Sequence, residues 1–219
     1  MDKLYKVAKA HTQYKTADGS RVPGVTTILS VLNKPALVKW ANNLGLQGID
    51  SSKYVDAAAR IGTLVHAMVE CHITGKELDL SDFTPNEIDQ AHVGFRKFVE
   101  WKQQHEFSLI LSEQPIVSEE YRFGGTLDCV ATVDGKITLV DFKTGKGIYD
   151  EMLCQVSAYN ELLKTKDIAT DEIMILRIGR NEEEGFEVRT LQNSDVARYF
   201  EIFKACLTIY ETKKKLGWS

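Results

Sequence analysis

The sequence is poor in the features that would take a 219-residue chain out of the ordinary globular class. Its four prolines are scattered, and no internal repeat or low-complexity linker marks a boundary. No apolar run reaches the roughly 18 residues that a membrane-spanning helix requires, and the start, MDKLYKVAKAHTQYK, lacks the apolar stretch of a signal peptide. A cytoplasmic protein with no membrane partner is expected. Cysteine is sparse: Cys71, Cys129, Cys154 and Cys206 are isolated, and each lies in an apolar-patterned segment. This spacing excludes a C-x-x-C knuckle and predicts four small core residues, with no disulfide framework and no iron-sulfur cluster. An excess of positive charge is also missing. Lys and Arg number 27 against 31 Asp and Glu, a poor overall signature for a protein that coats nucleic acid. Residues 1–40 alone lean the other way, with seven Lys and Arg against Asp2 and Asp18. That stretch reads either as a solvated face or as a strip that meets phosphates. A chain of this size buries about 70% of its unfolded surface, so its core needs no metal, and a metal would be functional.

The order of elements is more informative. Residues 12–29 alternate around Ala17-Asp18-Gly19-Ser20, which predicts a small hairpin ahead of helical patterns at 25–33 and 36–44. A long helix near 52–73 follows, with Val55, Ala58, Ala59, Gly62, Val65 and Val69 on an inward stripe that also carries His66. Thr84, Pro85 and Glu87 form a T-x-x-E capping box at the start of a second helix with Ile88, Ala91, Phe95 and Phe98 on its buried face. Between 107 and 143 the period changes to two, giving strands at 108–118, 122–133 and 136–143 in an antiparallel meander. A helix at 150–164, strands near 172–179 and 185–191, and a helix from Ser194 complete the chain. The fold class is therefore α/β (α+β), a central mixed β-sheet flanked by helices. It is read as a single domain: a hairpin and helices over 1–50, a core over about 51–191, and a terminal helix over about 194–216.

Two neighbouring strands carry charges that a core strand should not. In Val140-Asp141-Phe142-Lys143 alternation sets Asp141 and Lys143 on one face, and the adjacent Gly125-Thr126-Leu127-Asp128 can bring Asp128 beside them. Burying such charges unpartnered costs several kcal/mol each by order-of-magnitude reckoning, so they call for a partner; a structural salt bridge is one answer and a divalent cation another. Oxygen ligands suit Mg²⁺ or Mn²⁺. A second D-x-K string, Asp134-Gly135-Lys136, belongs to a turn and needs no chemistry. His66 follows Gly62 by one turn, and a glycine inside a helix costs roughly 1 kcal/mol against alanine unless close approach requires it. His66 reads as core residue or ligand, and Tyr159, which shares a helical face with Gln155, as core or site.

In chain order these motifs are G-x-x-x-H at Gly62 to His66, an acidic strand entry at Glu113, G-x-x-D at Gly125 to Asp128, D-x-K at Asp141 to Lys143, and Q-x-x-x-Y at Gln155 to Tyr159. The sequence thereby resembles the RecB-type branch of the PD-(D/E)xK nuclease superfamily over roughly residues 20–165. Within it, Val22-Pro23-Gly24-Val25-Thr26-Thr27-Ile28-Leu29 is similar to phage-type exonucleases and the mitochondrial genome maintenance exonuclease group. Leucine precedes Asp128 where the superfamily name has proline, and the cysteine cluster of some relatives has no counterpart.

The resemblance implies a restriction-endonuclease-like core and a metal-dependent deoxyribonuclease, an exonuclease of phage or bacterial recombination, replication or repair. It implies that His66, Asp128, Asp141 and the backbone carbonyl of Phe142 bind Mg²⁺ or Mn²⁺, and that Lys143 serves the attacking water and the phosphate. Glu113 is implied as ligand or outer acceptor, Gln155 and Tyr159 as positioning Lys143 or a phosphate, and Thr144 and Lys146 as backbone contacts. DNA ends, single- or double-stranded, would be the partner, with a single-strand annealing or binding protein as a further candidate. The alternative is a nucleic-acid-binding protein that keeps the fold and does not cut.

Overall fold

The computed structural model describes residues 4–7 and 12–218, so Lys3 and Lys9 of the basic stretch lie outside it. The hairpin forms from β1 (Tyr14–Lys15) and β2 (Arg21–Val22), antiparallel, with Gly19 at φ 80 in the turn. Three helices follow: α1 (Val25–Leu29), α2 (Pro35–Leu46) and α3 (Ser51–Thr74), the last capped by the Asp50 carboxylate. The capping box expected at Thr84 is present and starts α4 (Pro85–Lys102). Then come β3 (Phe107–Ser118), β4 (Phe123–Val133), β5 (Lys136–Thr144), α5 (Asp150–Lys164), β6 (Glu172–Ile178), β7 (Phe186–Leu191) and α6 (Asn193–Leu216).

The five long strands make one sheet in the order β3-β4-β5-β6-β7. β3, β4 and β5 are the antiparallel meander, β6 runs parallel to β5 after the α5 crossover, and β7 is antiparallel to β6. A parallel pair cannot be joined by a tight turn, which explains why a helix separates these two strands. The sheet is thus mixed, as the sequence pattern requires.

Strand alternation sends Val130, Leu139, Ile173 and Ile175 into one core with α1, α5 and α6. It sends Ala131, Val140, Phe142, Met174 and Leu176 into the other with α3 and α4. All four cysteines are buried and free.

The inward stripe of α3 is corrected in its first half. Val55 is 49% exposed and Ala59 is also exposed, whereas burial runs from Ile61 to Cys71. The first turns project beyond the sheet and meet α2 instead, through the edge-on pair Trp40 and Tyr54. α2 itself contains no buried residue. Part of the basic stretch is neutralised as well: Lys6 lies 3.5 Å from Asp79, and Lys34 2.7 Å from Glu151.

Candidate metal and phosphodiester site

β4 and β5 are paired from Val133 and Lys136 to Cys129 and Val140, and their ladder ends there. Asp128 and Asp141 are the next residue on each strand. At this point alternation along β4 also breaks, since Leu127 packs in the α5-side core while Cys129 packs in the α3-side core. Asp128 Oδ2 accepts the Phe142 N–H at 2.6 Å, and its Oδ1 lies 3.7 Å from His66 Nδ1. Asp141 is 1% exposed. Its Oδ2 is sealed from water, lies 2.6 Å from the Lys143 ammonium, and has no further hydrogen-bonding partner among the described residues.

The glycine one turn before His66 has the reason expected of it. A Cβ on Gly62 would stand 2.4 Å from Thr144 Oγ1, so its absence lets α3 close on the end of β5. His66 then packs edge-on against the Phe142 ring at 6.1 Å while its Nδ1 faces Asp128. It is a packed residue and a member of the charged group at once.

Burial works against every charge here, and the neighbours decide the outcome. For His66 burial opposes the imidazolium, but the Asp128 charge prevails and raises its pKa. Burial would raise Asp128, yet His66, Lys143 and the Phe142 N–H hold it below the usual carboxylate range. At Asp141 burial and the Asp128 charge outweigh the Lys143 ammonium and push the carboxyl up to about 6. Burial disfavours the ammonium of Lys143, but Asp141 and Asp128 keep it protonated, above its ordinary value.

Glu113 stands in left-handed backbone, φ 46, in the stretch of β3 paired with β4 on either side of Asp128. Desolvation, with the charges of Asp128 and Glu70, pushes its carboxyl up to about 7. Glu70 is a residue that the sequence reading missed. It is 4% exposed, follows His66 by one turn of α3, and accepts the Ser112 hydroxyl at 3.0 Å. The signal was H-x-x-x-E on one helical face, which an ordinary surface helix would also show. Tyr14 was also missed. Its hydroxyl meets Thr126 Oγ1 at 3.0 Å, and its ring lies where a Cβ on Gly124 would be, at 2.4 Å.

Gln155 donates to the Tyr159 hydroxyl at 2.8 Å. Tyr159 is buried, and its ring lies under Gly125, 2.6 Å from where a Cβ would stand. Neither side chain bonds to Lys143, whose ammonium lies against Asp141; each engages the other. Lys146 is exposed, its charge acting on Glu184. The decoy behaves as a turn: Asp134 and Gly135 have φ 48 and 82, and Lys136 turns to Glu172 at 3.3 Å.

Among the described residues no three His, Cys, Asp or Glu side chains stand close enough together to hold a metal as they lie. The donor chemistry nevertheless fits a divalent cation: two carboxylates with an imidazole between α3 and the sheet, and in Asp141 Oδ2 a buried oxygen answered only by an ammonium. Two clefts open beside this group and share Glu113. One, of about 370 Å³, runs along Gly62, Thr63, His66 and Thr144; the other, of about 650 Å³, lies under the hairpin and reaches Tyr159.

The family model described as the PD-(D/E)XK nuclease superfamily matches residues 38–212. No curated protein matches the chain in sequence. Among solved structures, the chain is similar to a protein from Eubacterium rectale provisionally described as an exonuclease, with 12% identity, a TM-score of 0.47, and coverage of 66% of this chain and 64% of that one. It thus spans under two thirds of that protein's length. A second, SSO0001, shares 16% identity at a TM-score of 0.29, covering 64% of this chain and 71% of the other.

Proposed function

Because the chain belongs to the PD-(D/E)XK nuclease superfamily, we propose that it is a metal-dependent deoxyribonuclease of the RecB-type branch, working from strand ends in phage or bacterial recombination, replication or repair. The family uses divalent metals, typically Mg²⁺ or Mn²⁺. The observation that carries the proposal is the Asp141–Lys143 pair at 2.6 Å, at the end of a buried strand with Asp128 on the neighbouring one. An apolar pair there would cost less than two desolvated charges, so the charges are kept for chemistry.

In this reading His66, Asp128 and Asp141 would hold the cation, with the Phe142 carbonyl as a further ligand. When bound, the cation supplies positive charge against the phosphate and acidity to the attacking water. The chain's own contribution is orientation. Asp128 is fixed by the Phe142 N–H, so the two strands hold both carboxylates in one relation. Lys143 brings a second positive charge to the phosphate, opposing the negative charge that develops there. Gln155 fixes the Tyr159 hydroxyl, and Thr144 and Lys146 continue from Lys143 as contacts to the sugar-phosphate backbone. The second reading is a nucleic-acid-binding protein that keeps the fold and does not cut. End-labelled single- and double-stranded DNA, linear and circular, incubated with Mg²⁺, Mn²⁺ or EDTA separates the two. Shortening of linear DNA only, and only with a cation, is expected. Retention of DNA at unchanged length in both cations would establish the second reading.

A further inference from the structure

α6 buries one face and leaves a second apolar face uncovered. Val196, Phe200, Phe203, Cys206 and Leu207 pack into the core shared with α1 and α5. On the flank of the same helix Ile202, Ile209 and Leu216 recur every seven residues, and all three are exposed, Ile209 by 49%. Exposed Ala205 and Thr212 fall between them. The stripe therefore has the alternating spacing of three and four that marks a coiled-coil seam, with small side chains where a second backbone would approach. The other exposed apolar helix, α2, has no such seam: Leu37 and Leu46 are nine residues apart, which sets them on opposite sides. Two heptads are too short to order themselves as an isolated peptide, but α6 is already held by its core face, so pairing has no helix to form.

The stripe is symmetric about Ile209, with Ile202 seven residues before it and Leu216 seven after. A surface that matches itself end for end is what a two-fold contact requires. Charge selects the direction. Glu201 and Lys215 flank the stripe on one side, near its two ends. Lys213, Lys214 and Lys215 crowd the last turn, with no ion pair among the described residues. Two copies running in the same direction would bring both lysine triplets together. In opposite directions each Lys215 meets the other copy's Glu201, and the helix dipoles oppose.

We propose that two copies of this chain pair through α6, antiparallel about a two-fold axis at Ile209, with Ile202 of each against Leu216 of the other. Trp218 is 66% exposed, and its backbone N–H is tied to the Lys213 carbonyl at 2.9 Å, so it reaches the other α6 near Arg198. The pairing leaves the α3 cleft free, because α3 and α6 pack on opposite faces of the sheet. It stands independently of the nuclease reading.

Standard interfaces bury at least about 1,200 Å², and one stripe from each copy lies at the lower end of that class, so a micromolar dimer is expected. Sedimentation equilibrium of the full chain from about 1 to 200 µM reads it. Ile209→Lys sets two ammonium groups against each other at the axis and should weaken the dimer about thirtyfold or more. The site is half exposed, so the thermal midpoint in dilute solution should not move. Lys215→Glu should weaken the dimer about tenfold, and adding Glu201→Lys should restore it. Direction is read by mild oxidation of variants with one added cysteine, the four native cysteines being buried. Ile209→Cys should cross-link alone, and Ile202→Cys only when mixed with Leu216→Cys. A monomer throughout the range would overturn the pairing and leave the stripe to a chain of another sequence. A dimer unaffected by Ile209→Lys would overturn it by placing the contact on another face, and Ile202→Cys linking to itself would overturn the antiparallel direction.

Discussion

Lys143 and Lys136 occupy the same three-letter string seven residues apart, and only their surroundings differ. The first is 17% exposed and lies against the buried Asp141, and the second is 59% exposed beside Glu172. Lys143→Ala should reduce single-turnover cleavage by about 10²- to 10³-fold, the usual cost of one preorganised charge, whereas Lys136→Ala should cleave normally. Equal rates would place the chemistry on another strand. Asp141 needs a milder probe than alanine. Asp141→Ala would leave the largely desolvated Lys143 ammonium without its partner, so lost activity would be confounded with lost stability. Asp141→Asn keeps the volume and should abolish cleavage while the protein remains folded by circular dichroism. Glu113 offers a pH signature. Its folded pKa of about 7 lies above the ordinary 4.5, so the folded state binds more protons, and stability in EDTA falls as pH rises through that window. Asp141 contributes a loss of the same sign at lower pH, so the comparison to make is with Glu113→Gln, whose urea midpoint should decline less between pH 5 and 8. A parallel decline in both proteins would show that Glu113 is not strained by its neighbours.

At the scale of elements, the contact between α3 and β5 is the one most open to measurement. Gly62→Ala gains roughly 1 kcal/mol of helix preference but forces a methyl onto Thr144 Oγ1, and such overpacking costs about 1–3 kcal/mol. A lower thermal midpoint is therefore expected, reversed in Gly62→Ala, Thr144→Gly, where the methyl has room. Failure of the second substitution to restore stability would locate the strain elsewhere. This contact also shows what a sequence can disclose. A glycine in an otherwise regular helix announces close approach, though not the partner. The T-x-x-E box and the change to period two announced α4 and the meander, because local hydrogen bonding and side-chain alternation act within a few residues. Alternation could not announce the break at Asp128, where Leu127 and Cys129 serve opposite cores. The exposed first half of α3 escaped for a similar reason. Its small and apolar residues follow a buried pattern, but the sheet does not extend beneath them.

For the whole molecule, the charge distribution decides how DNA is held. The net charge is −4, and Lys6 and Lys34, which a basic strip would need, are paired with carboxylates. Affinity should rest on a few local contacts, and its salt dependence should be shallow, with a slope corresponding to about two or three phosphates on the single-strand coefficient of 0.7 each. A slope beyond about −4 would point to a cationic surface that the pairing pattern does not provide. The metal is expected to act at the same scale. Mn²⁺ or Mg²⁺ should raise the thermal midpoint of the protein, because binding to the folded state alone stabilises it. His66→Ala should lose much of that increment and little of the midpoint in EDTA; the opposite pattern would make His66 a packing residue only. The sequence motifs had placed His66, Asp128, Asp141 and Lys143 in chain order, and the topology brings them to the end of one strand pair. Glu70 and Tyr14 were not legible, since what marks them is burial and contact across the fold.

Arg177 lies beside Lys143 in the parallel ladder, and its guanidinium reaches past the strand end. It donates to the Gly145 carbonyl at 3.2 Å, to the Glu184 carbonyl at 2.6 Å, and to the Glu187 carboxylate at 3.0 Å. One planar group thus rivets the segment leaving the D-x-K strand to the turn between β6 and β7. Those two segments form a single lever, which Lys97 of α4 also holds from the other side at the Asn181 and Gly185 carbonyls. In Arg177→Met the lever is cut, and amide exchange should quicken at 145–147 and 180–185 together while α4 keeps its protection.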